Sequence, residues 1–198
     1  DELAAADVNV RRVPDLVILR IAERWDGLPK APPDQRVGIV ASNIPHAAGY
    51  ETHLQKLAEV LGERAVWVSH KEGDHTKSDG VHLQRLGLPV GGRLLDMLEK
   101  RELSAVISVR LHAALMALES GIPAIHLAYD RKGPAAFADL GLEDWCFDIR
   151  SLDPVGLDQA LSKILDDQEA YWGRVAERVP TLRDASAELD GLVKGVCA

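Results

Sequence analysis

The sequence predicts an α/β fold in which a Rossmann-like parallel sheet carries helices on both faces. Short, almost continuous apolar segments, such as "VGIVAS" (37–42) and "LSAVISV" (103–109), are typical of strands buried on both faces. Segments with leucine and alanine at helical spacing alternate with them, and Gly62 and Gly121 each follow one of these helices. This alternation is characteristic of a doubly wound parallel sheet.

The length of 198 residues suffices for one such domain and part of another. Residues 1–35 are predicted to be the remnant of an N-terminal domain, with a strand at 8–10, one helical turn after it, and a linker at 27–36 that three prolines stiffen. Residues 36–198 are predicted to form the Rossmann-like domain and its C-terminal helices. Because the chain begins at Asp1 and not at methionine, we expect a portion of a longer protein or a processed product.

The elements follow one another with short connections. Five strands are predicted, at 37–42, 64–70, 103–109, 122–129 and 144–149. Helices are predicted between and after them, at 50–62, 91–102, 111–120, 133–141, 154–165, 168–178 and 182–195. The polar, glycine-containing segment 69–82 is predicted to be a loop after the second strand, where sheets of this kind bind their ligands.

Composition and missing motifs exclude several functions. The formal net charge is −8 and no basic stripe is visible, which argues against a nucleic-acid partner. Cys146 and Cys197 lie far apart without a C-x-x-C, so reduced thiols are expected and neither a disulfide nor a zinc site. No membrane span or signal peptide is visible. A nicotinamide or flavin cofactor is not expected, because no G-x-G-x-x-G follows the first strand.

The junction "VRLHAAL" (109–115) carries the most informative side chains. Arg110 and His112 lie where a buried strand ends and an alanine-rich helix begins. The first amides of a helix have no intrahelical partner and attract an anion. The arginine adds a planar donor fork, and the histidine adds a group that exchanges protons near neutral pH. Lys132 follows the next strand, so we expect it at the same edge of the sheet.

Other polar residues are weaker candidates. His70 ends the second strand and is expected to face the same cleft. Three residues of the following loop invite a metal interpretation, but their spacing matches no tight ligand template: Asp74, His75 and Asp79. Two residues after the first strand are placed where they could line the cleft: Asn43 and His46. A structural role is expected for His53 and His126, and His82 receives no assignment.

The region from Val106 to Ile149 resembles the C-terminal half of the polysaccharide pyruvyl transferase family. The residues that carry the resemblance are an R-L-H triplet, a G-x-P and a Y-D-x-K: Arg110, Leu111, His112, Gly121, Pro123, Tyr129, Asp130 and Lys132. The segment "VPDLVIL" (13–19) is similar to the family's V-x-D-P, with Leu16 where proline is usual. The resemblance extends over roughly residues 8–150, and the G-x-P alone is shared by many glycosyltransferases.

The resemblance implies a fold like the C-terminal, donor-binding domain of two-domain GT-B glycosyltransferases. It implies transfer of a pyruvyl group from phosphoenolpyruvate to two sugar hydroxyls, giving a ketal. Donor-binding roles are implied for Arg110 and His112, with His112 as the acid or base. The substrate-binding set would be Arg110, Leu111, His112, His70, Tyr129 and Lys132, and phosphoenolpyruvate would serve as donor substrate without a cofactor or metal.

The resemblance also implies partners and a location. The acceptor would be a polysaccharide or its lipid-linked precursor in exopolysaccharide or cell-envelope biosynthesis. The enzyme would be cytoplasmic, working at the inner face of the membrane when the acceptor is lipid-linked. The N-terminal domain of the same protein would be a partner, and a homo-oligomer is compatible with the sequence.

Two other functions remain open at this point. The first is a GT-B glycosyltransferase with a nucleotide-sugar donor. Glu119, the only acid in the helix after Arg110, lies at its far end, which argues mildly against a ribose-binding role. The second is a non-catalytic donor-binding domain, and the nearly complete R-L-H and Y-D-x-K set argues against it.

Overall fold

The computed structural model describes residues 12–27, 29, 36–44, 47, 49–71 and 78–196. The strand predicted at 8–10 lies outside these residues. Within them, a single parallel sheet forms the centre of the molecule, and helices cover both of its faces.

Six parallel strands form the sheet, in the order β3-β2-β1-β4-β5-β6. They are β1 (Val37–Val40), β2 (Ala65–Ser69), β3 (Gly92–Arg93), β4 (Ala105–Ser108), β5 (Ala124–Ala128) and β6 (Cys146–Asp148). From β1 the chain adds β2 and β3 on one side, and it then crosses to the other side of β1 and adds β4, β5 and β6. In the register of β1 with β4, Val37 is paired with Ala105. This is the doubly wound order of Rossmann-like folds, so the predicted fold class is confirmed.

Eight α-helices lie in the described residues. They are α1 (Leu16–Glu23), α2 (Tyr50–Leu61), α3 (Asp79–Arg85), α4 (Leu94–Glu99), α5 (Leu111–Glu119), α6 (Lys132–Asp139), α7 (Pro154–Asp166) and α8 (Gln168–Val196). Short 3-10 turns occupy Gly62–Arg64, Glu143–Trp145 and Ile149–Ser151. No helix in the described part of the chain is both long and apolar enough to cross a membrane.

Four local predictions were wrong. The segment predicted as helix 91–102 contains the extra strand β3, whose two residues are too few to show a pattern. The predicted loop 69–82 ends in the first turn of α3. The single turn predicted after Pro14 is a helix of eight residues. The last two predicted helices are one helix, α8, which continues through Pro180 because Val179 and Leu182 are buried on either side of it.

The N-terminal helix α1 packs against α5 and α8. Asp15 caps it by accepting a hydrogen bond from the Val17 amide at 2.9 Å. Its apolar face, which includes Ile18 and Ala22, joins the common core. Glu119, at the end of α5, accepts hydrogen bonds from Arg20, which lies in α1, and from Arg24, which directly follows it. The helix after Pro14 is thus anchored to the Rossmann-like body.

The core lies on both faces of the sheet. All four residues of β1 and of β4 are buried, and all five of β5, as expected for strands covered on both sides. Alanines and leucines on α5 allow this helix to lie close to β4 and β5. Tyr171 ties α8 to β5, because its hydroxyl accepts a hydrogen bond from the Ala124 amide and donates one to the Ala124 carbonyl.

Candidate functional site

A cleft of about 430 Å³ opens at the carboxyl ends of β2, β4 and β5. It lies at the point where the strand order reverses, since β1 is flanked by β2 on one side and β4 on the other. Ligands of doubly wound sheets bind at this position. The residues that line it are His70, Lys71, Arg110, Leu111, His112, His126, Tyr129, Asp130 and Lys132. All six residues predicted as substrate-binding therefore line one cleft.

Asp79 fixes the side of the cleft formed by β2 and β4. This carboxylate is fully buried. Oδ1 accepts a hydrogen bond from Arg110 Nε at 2.7 Å, and Oδ2 accepts from the amides of His70 and Lys71 at 3.1 and 2.8 Å. A buried carboxylate is stable when it is paired and hydrogen-bonded in this way. Asp79 thus ties the end of β2 to the arginine that follows β4.

Ser42 completes this arrangement from the end of β1. Its hydroxyl accepts a hydrogen bond from Arg110 Nη2 at 2.8 Å. Its own backbone is held by the buried Tyr50 hydroxyl, which accepts from the Ser42 amide and donates to the Ser42 carbonyl. Burial raises the pKa of Tyr50, so this hydroxyl keeps its proton. Arg110 is therefore braced on two sides and has a fixed direction, as preorganised sites require.

The helix that starts after Arg110 presents its first turn to the cleft. Arg110 is the N-cap of α5, and no side chain caps this end within the described residues. The Ser108 hydroxyl instead holds the junction, accepting from the Arg110 amide at 3.0 Å and donating to its carbonyl at 2.9 Å. Leu111 and His112, the first helical residues, line the cleft. The positive end of the helix dipole and the Arg110 side chain therefore both face the cleft.

The opposite wall follows β5. Lys132 begins α6 and is exposed, and its amide donates to Asp130 Oδ1 at 2.9 Å. The Tyr129 carbonyl accepts a hydrogen bond from Arg150 Nη2 at 2.6 Å, which fixes the chain where it leaves the strand. Lys132 thus supplies an ammonium group on this wall.

Three histidines line the cleft in different environments. Burial lowers the pKa of His70, although the charge of Asp79 acts in the opposite direction. Burial also lowers the pKa of His126, which is 2% exposed. The His112 side chain is 66% exposed, and its Nε2 lies 3.9 Å from Asp15 Oδ2. The cleft therefore contains two rings held neutral and one exposed ring beside a carboxylate.

Sequence reasoning missed some of these residues. The sequence marks Asp79 only as part of a loop that invites a metal interpretation, and it does not single out Ser42 or Lys71. His126, for which a structural role is expected from the sequence, lines the cleft. In the sequence, these residues are marked only by their position at or near the carboxyl end of a strand.

Other candidates do not join the site. Asn43 is exposed and is not among the lining residues, and His46, Asp74 and His75 lie outside the described residues. Across the part of the chain that the structure describes, no three His, Cys, Asp or Glu side chains are grouped as metal ligands would be.

A larger groove of about 690 Å³ lies elsewhere, between α7, α8 and the turn before β6. Trp145 and Tyr171 contribute to its floor, and Lys163 and Arg174 contribute to its rim. Trp145 immediately precedes β6, so this groove reaches the amino end of that strand. The smaller cleft at the carboxyl ends is therefore the candidate site.

Comparison with protein-family models and with curated proteins found no match to this chain. Among solved structures, the chain is similar to a protein described as the glycotransferase of kitacinnamycin, with 21% sequence identity and a TM-score of 0.46. The similarity covers 82% of this chain and 42% of that protein, so this chain spans less than half of its length. A likeness of this extent does not establish a shared activity.

Proposed function

We propose that the cleft binds phosphoenolpyruvate and that the chain is the donor-binding part of a pyruvyl transferase acting on a saccharide. One observation carries the proposal: the uncapped start of α5 and the braced Arg110 face Lys132 across a single cleft. Phosphoenolpyruvate has two anionic groups, a phosphate and a carboxylate, on a three-carbon skeleton. The cleft offers cationic or amide donors on two walls, and the resemblance in R-L-H and Y-D-x-K points to the same donor.

The charges of the cleft favour a small dianion. Arg110 shares its charge with Asp79, and Asp130 lies close to Lys132, so the walls are only moderately positive. Amides at the start of α5 add donors that carry no counter-charge of their own. Rigid donors aimed at one place bind an anion with little reorganisation.

The proposed reaction forms a ketal and releases phosphate. A proton is added to the methylene carbon of phosphoenolpyruvate, and positive charge develops at the carbon that bears the phosphate. A sugar hydroxyl attacks that carbon and loses its proton, the C–O bond to phosphate breaks, and a second hydroxyl closes the ring with loss of its proton. We assign His112, exposed beside Asp15, as the donor of the first proton, and Arg110 as the group that holds the anion.

A nucleotide-sugar donor would find no available acidic side chain on α5 for its ribose. Glu119 is the only acid of α5, and its carboxylate is held by Arg20 and Arg24 on the side of α1. It is therefore committed to packing α1 against α5.

Titration of the full chain with phosphoenolpyruvate tests the proposal. We expect saturable binding by calorimetry and a rise in the midpoint of thermal unfolding. Lys132→Met should weaken binding by roughly tenfold, because a hydrogen bond to a charged group contributes about 1.5–3 kcal/mol and solvent exposure of Lys132 places it at the lower end. Lys100→Met removes another exposed lysine, at the end of α4, and serves as the matched control, with unchanged affinity.

The competing ligands are UDP- and GDP-hexoses. If these bind in a Lys132-dependent manner and phosphoenolpyruvate does not, the cleft belongs to a glycosyltransferase. If none of the three stabilises the chain, the proposal of a donor site is wrong.

A further inference from the structure

His126 lies in β5 and its ring reaches the floor of the cleft from beneath α6. In the sheet register it is paired with Ser108 of β4 on one side and Cys146 of β6 on the other. Its ring stacks on Phe137 of α6, with centroids 5.5 Å apart and planes at 26°. The packing holds the imidazole in one orientation.

A backbone carbonyl sets the tautomer of this ring. His126 Nδ1 lies 2.9 Å from the Ser108 carbonyl oxygen. Because a carbonyl only accepts hydrogen bonds, Nδ1 must carry the proton. Burial lowers the pKa of His126, so the ring is neutral near neutral pH and Nε2 carries a lone pair. With Nδ1 engaged, Nε2 is the nitrogen through which the ring can meet a ligand.

The residue opposite Nε2 leaves room for the ring. Gly133 lies in the first turn of α6, and a Cβ atom at this position would stand 2.4 Å from Nε2 and 2.9 Å from the Cβ of Ala128. Any larger residue would displace the imidazole from this position. Gly133 thus lets the first turn of α6 pack directly against the imidazole, whose residue lines the cleft.

The structure assigns His126 as a further catalytic residue: we propose that its Nε2 contacts the attacking sugar hydroxyl and takes its proton. This inference rests on the proposed function and concerns the acceptor side of the same cleft. The hydroxyl oxygen forms the new bond to the carbon bearing the phosphate, its O–H bond breaks, and the proton moves to Nε2. Release of phosphate removes the negative charge that the donor brought, and the imidazolium returns its proton to solvent.

The charged surroundings suit this role. Burial lowers the pKa of His126, and the hydrogen bond to the Ser108 carbonyl and the charge of Asp130 act in the opposite direction. The other titratable groups that line the same cleft are His70, Lys71, Arg110, His112, Tyr129 and Lys132. An acid at the exposed His112 and a base at the buried His126 would divide the two proton transfers between two environments.

Nitrogen NMR of the full chain with ¹⁵N-labelled histidine tests the contact. We expect His126 in the Nδ1–H tautomer, and we expect its Nε2 resonance to move when methyl glucoside or methyl galactoside is added with phosphoenolpyruvate. An Nε2–H tautomer, or an Nε2 signal that neither sugar moves, would overturn the inference. If phosphoenolpyruvate fails to bind, the proposed function fails separately, and the response of Nε2 to the two sugars alone decides the contact.

Substitution separates catalysis from packing. His126→Asn keeps an N–H donor for the Ser108 carbonyl and removes the Nε2 acceptor. Where pyruvyl transfer to either sugar is measured, it should fall about 100-fold or more, with phosphoenolpyruvate affinity nearly unchanged and the acidic limb of the pH–rate profile lost. Phe137→Leu loosens the stacking and keeps the imidazole, so it should retain most of the turnover. Equal losses in the two variants would identify His126 as a packing residue only.

Discussion

Asp79 joins three strand ends through one carboxylate. It binds the amides that follow β2 and the guanidinium that follows β4, and that guanidinium in turn binds Ser42 after β1. The sequence revealed Arg110 because it interrupts an apolar run at a strand–helix junction. It could not reveal Asp79 in the same way, because the segment 69–82 holds several acids and the contact spans 31 positions.

Asp79→Asn should therefore affect both stability and ligand binding. The amide removes the counter-charge of Arg110 and can accept fewer of the three hydrogen bonds, so we expect a loss of about 1–3 kcal/mol in unfolding free energy. Affinity for phosphoenolpyruvate should fall because Arg110 is no longer held in one direction. Urea unfolding and calorimetry measure the two effects.

The matched control for Asp79→Asn is Asp144→Asn. Asp144 is 72% exposed and makes a 3.4 Å ion pair with Arg174, so its substitution should change stability by less than about 1 kcal/mol. Equal effects of the two substitutions would contradict the role given to Asp79.

Among the elements, α6 makes a close contact with the sheet. Its first turn approaches His126 and Ala128 so closely that only glycine fits at position 133. The sequence predicted this helix and Pro134 in its first turn, but the need for Gly133 depends on the strand beneath it. Likewise, the continuity of α8 through Pro180 depends on buried neighbours that local propensity does not report.

Two glycine-to-alanine substitutions test the contact of α6. Gly133→Ala should destabilise the fold by about 1–3 kcal/mol, because the added methyl collides with the imidazole in a packed region. Gly173→Ala lies inside α8 with no atom within 4 Å of the added methyl, so it should stabilise the fold by up to about 1 kcal/mol. Thermal unfolding of both variants would show the opposite signs, and a stable Gly133→Ala would refute the close packing.

At the scale of the whole molecule, fold class and strand succession were predictable because buried parallel strands are nearly continuous in apolar residues. The assembly of the site was only partly predictable. Strand-end position marked Arg110, His112, Lys132 and His70. The side chains that orient them come from other elements, and nothing in a linear pattern states which strand ends are neighbours.

Buried histidines should make the stability of the whole molecule depend on pH. Burial lowers the pKa of His70, His82 and His126 in the folded state. On acidification through about pH 6.5 the unfolded chain binds protons that the folded chain does not, so stability falls as pH decreases. Urea unfolding at about pH 7.5 and about pH 5.5 should show the loss, with a smaller loss in His126→Asn. Equal stability at both values would contradict it.

The seam between β1 and β4 divides the sheet into two contiguous halves of the chain, one ending after β3 and the other beginning at β4. Ser42, His70 and Asp79 belong to the first half, and Arg110 and Lys132 belong to the second. A molecule bound in the cleft therefore contacts both halves and adds its binding free energy to the hydrogen bonds of the seam. A bound ligand would make local opening between β1 and β4 rarer. Amide hydrogen exchange in these two strands should therefore be slower when the cleft is occupied.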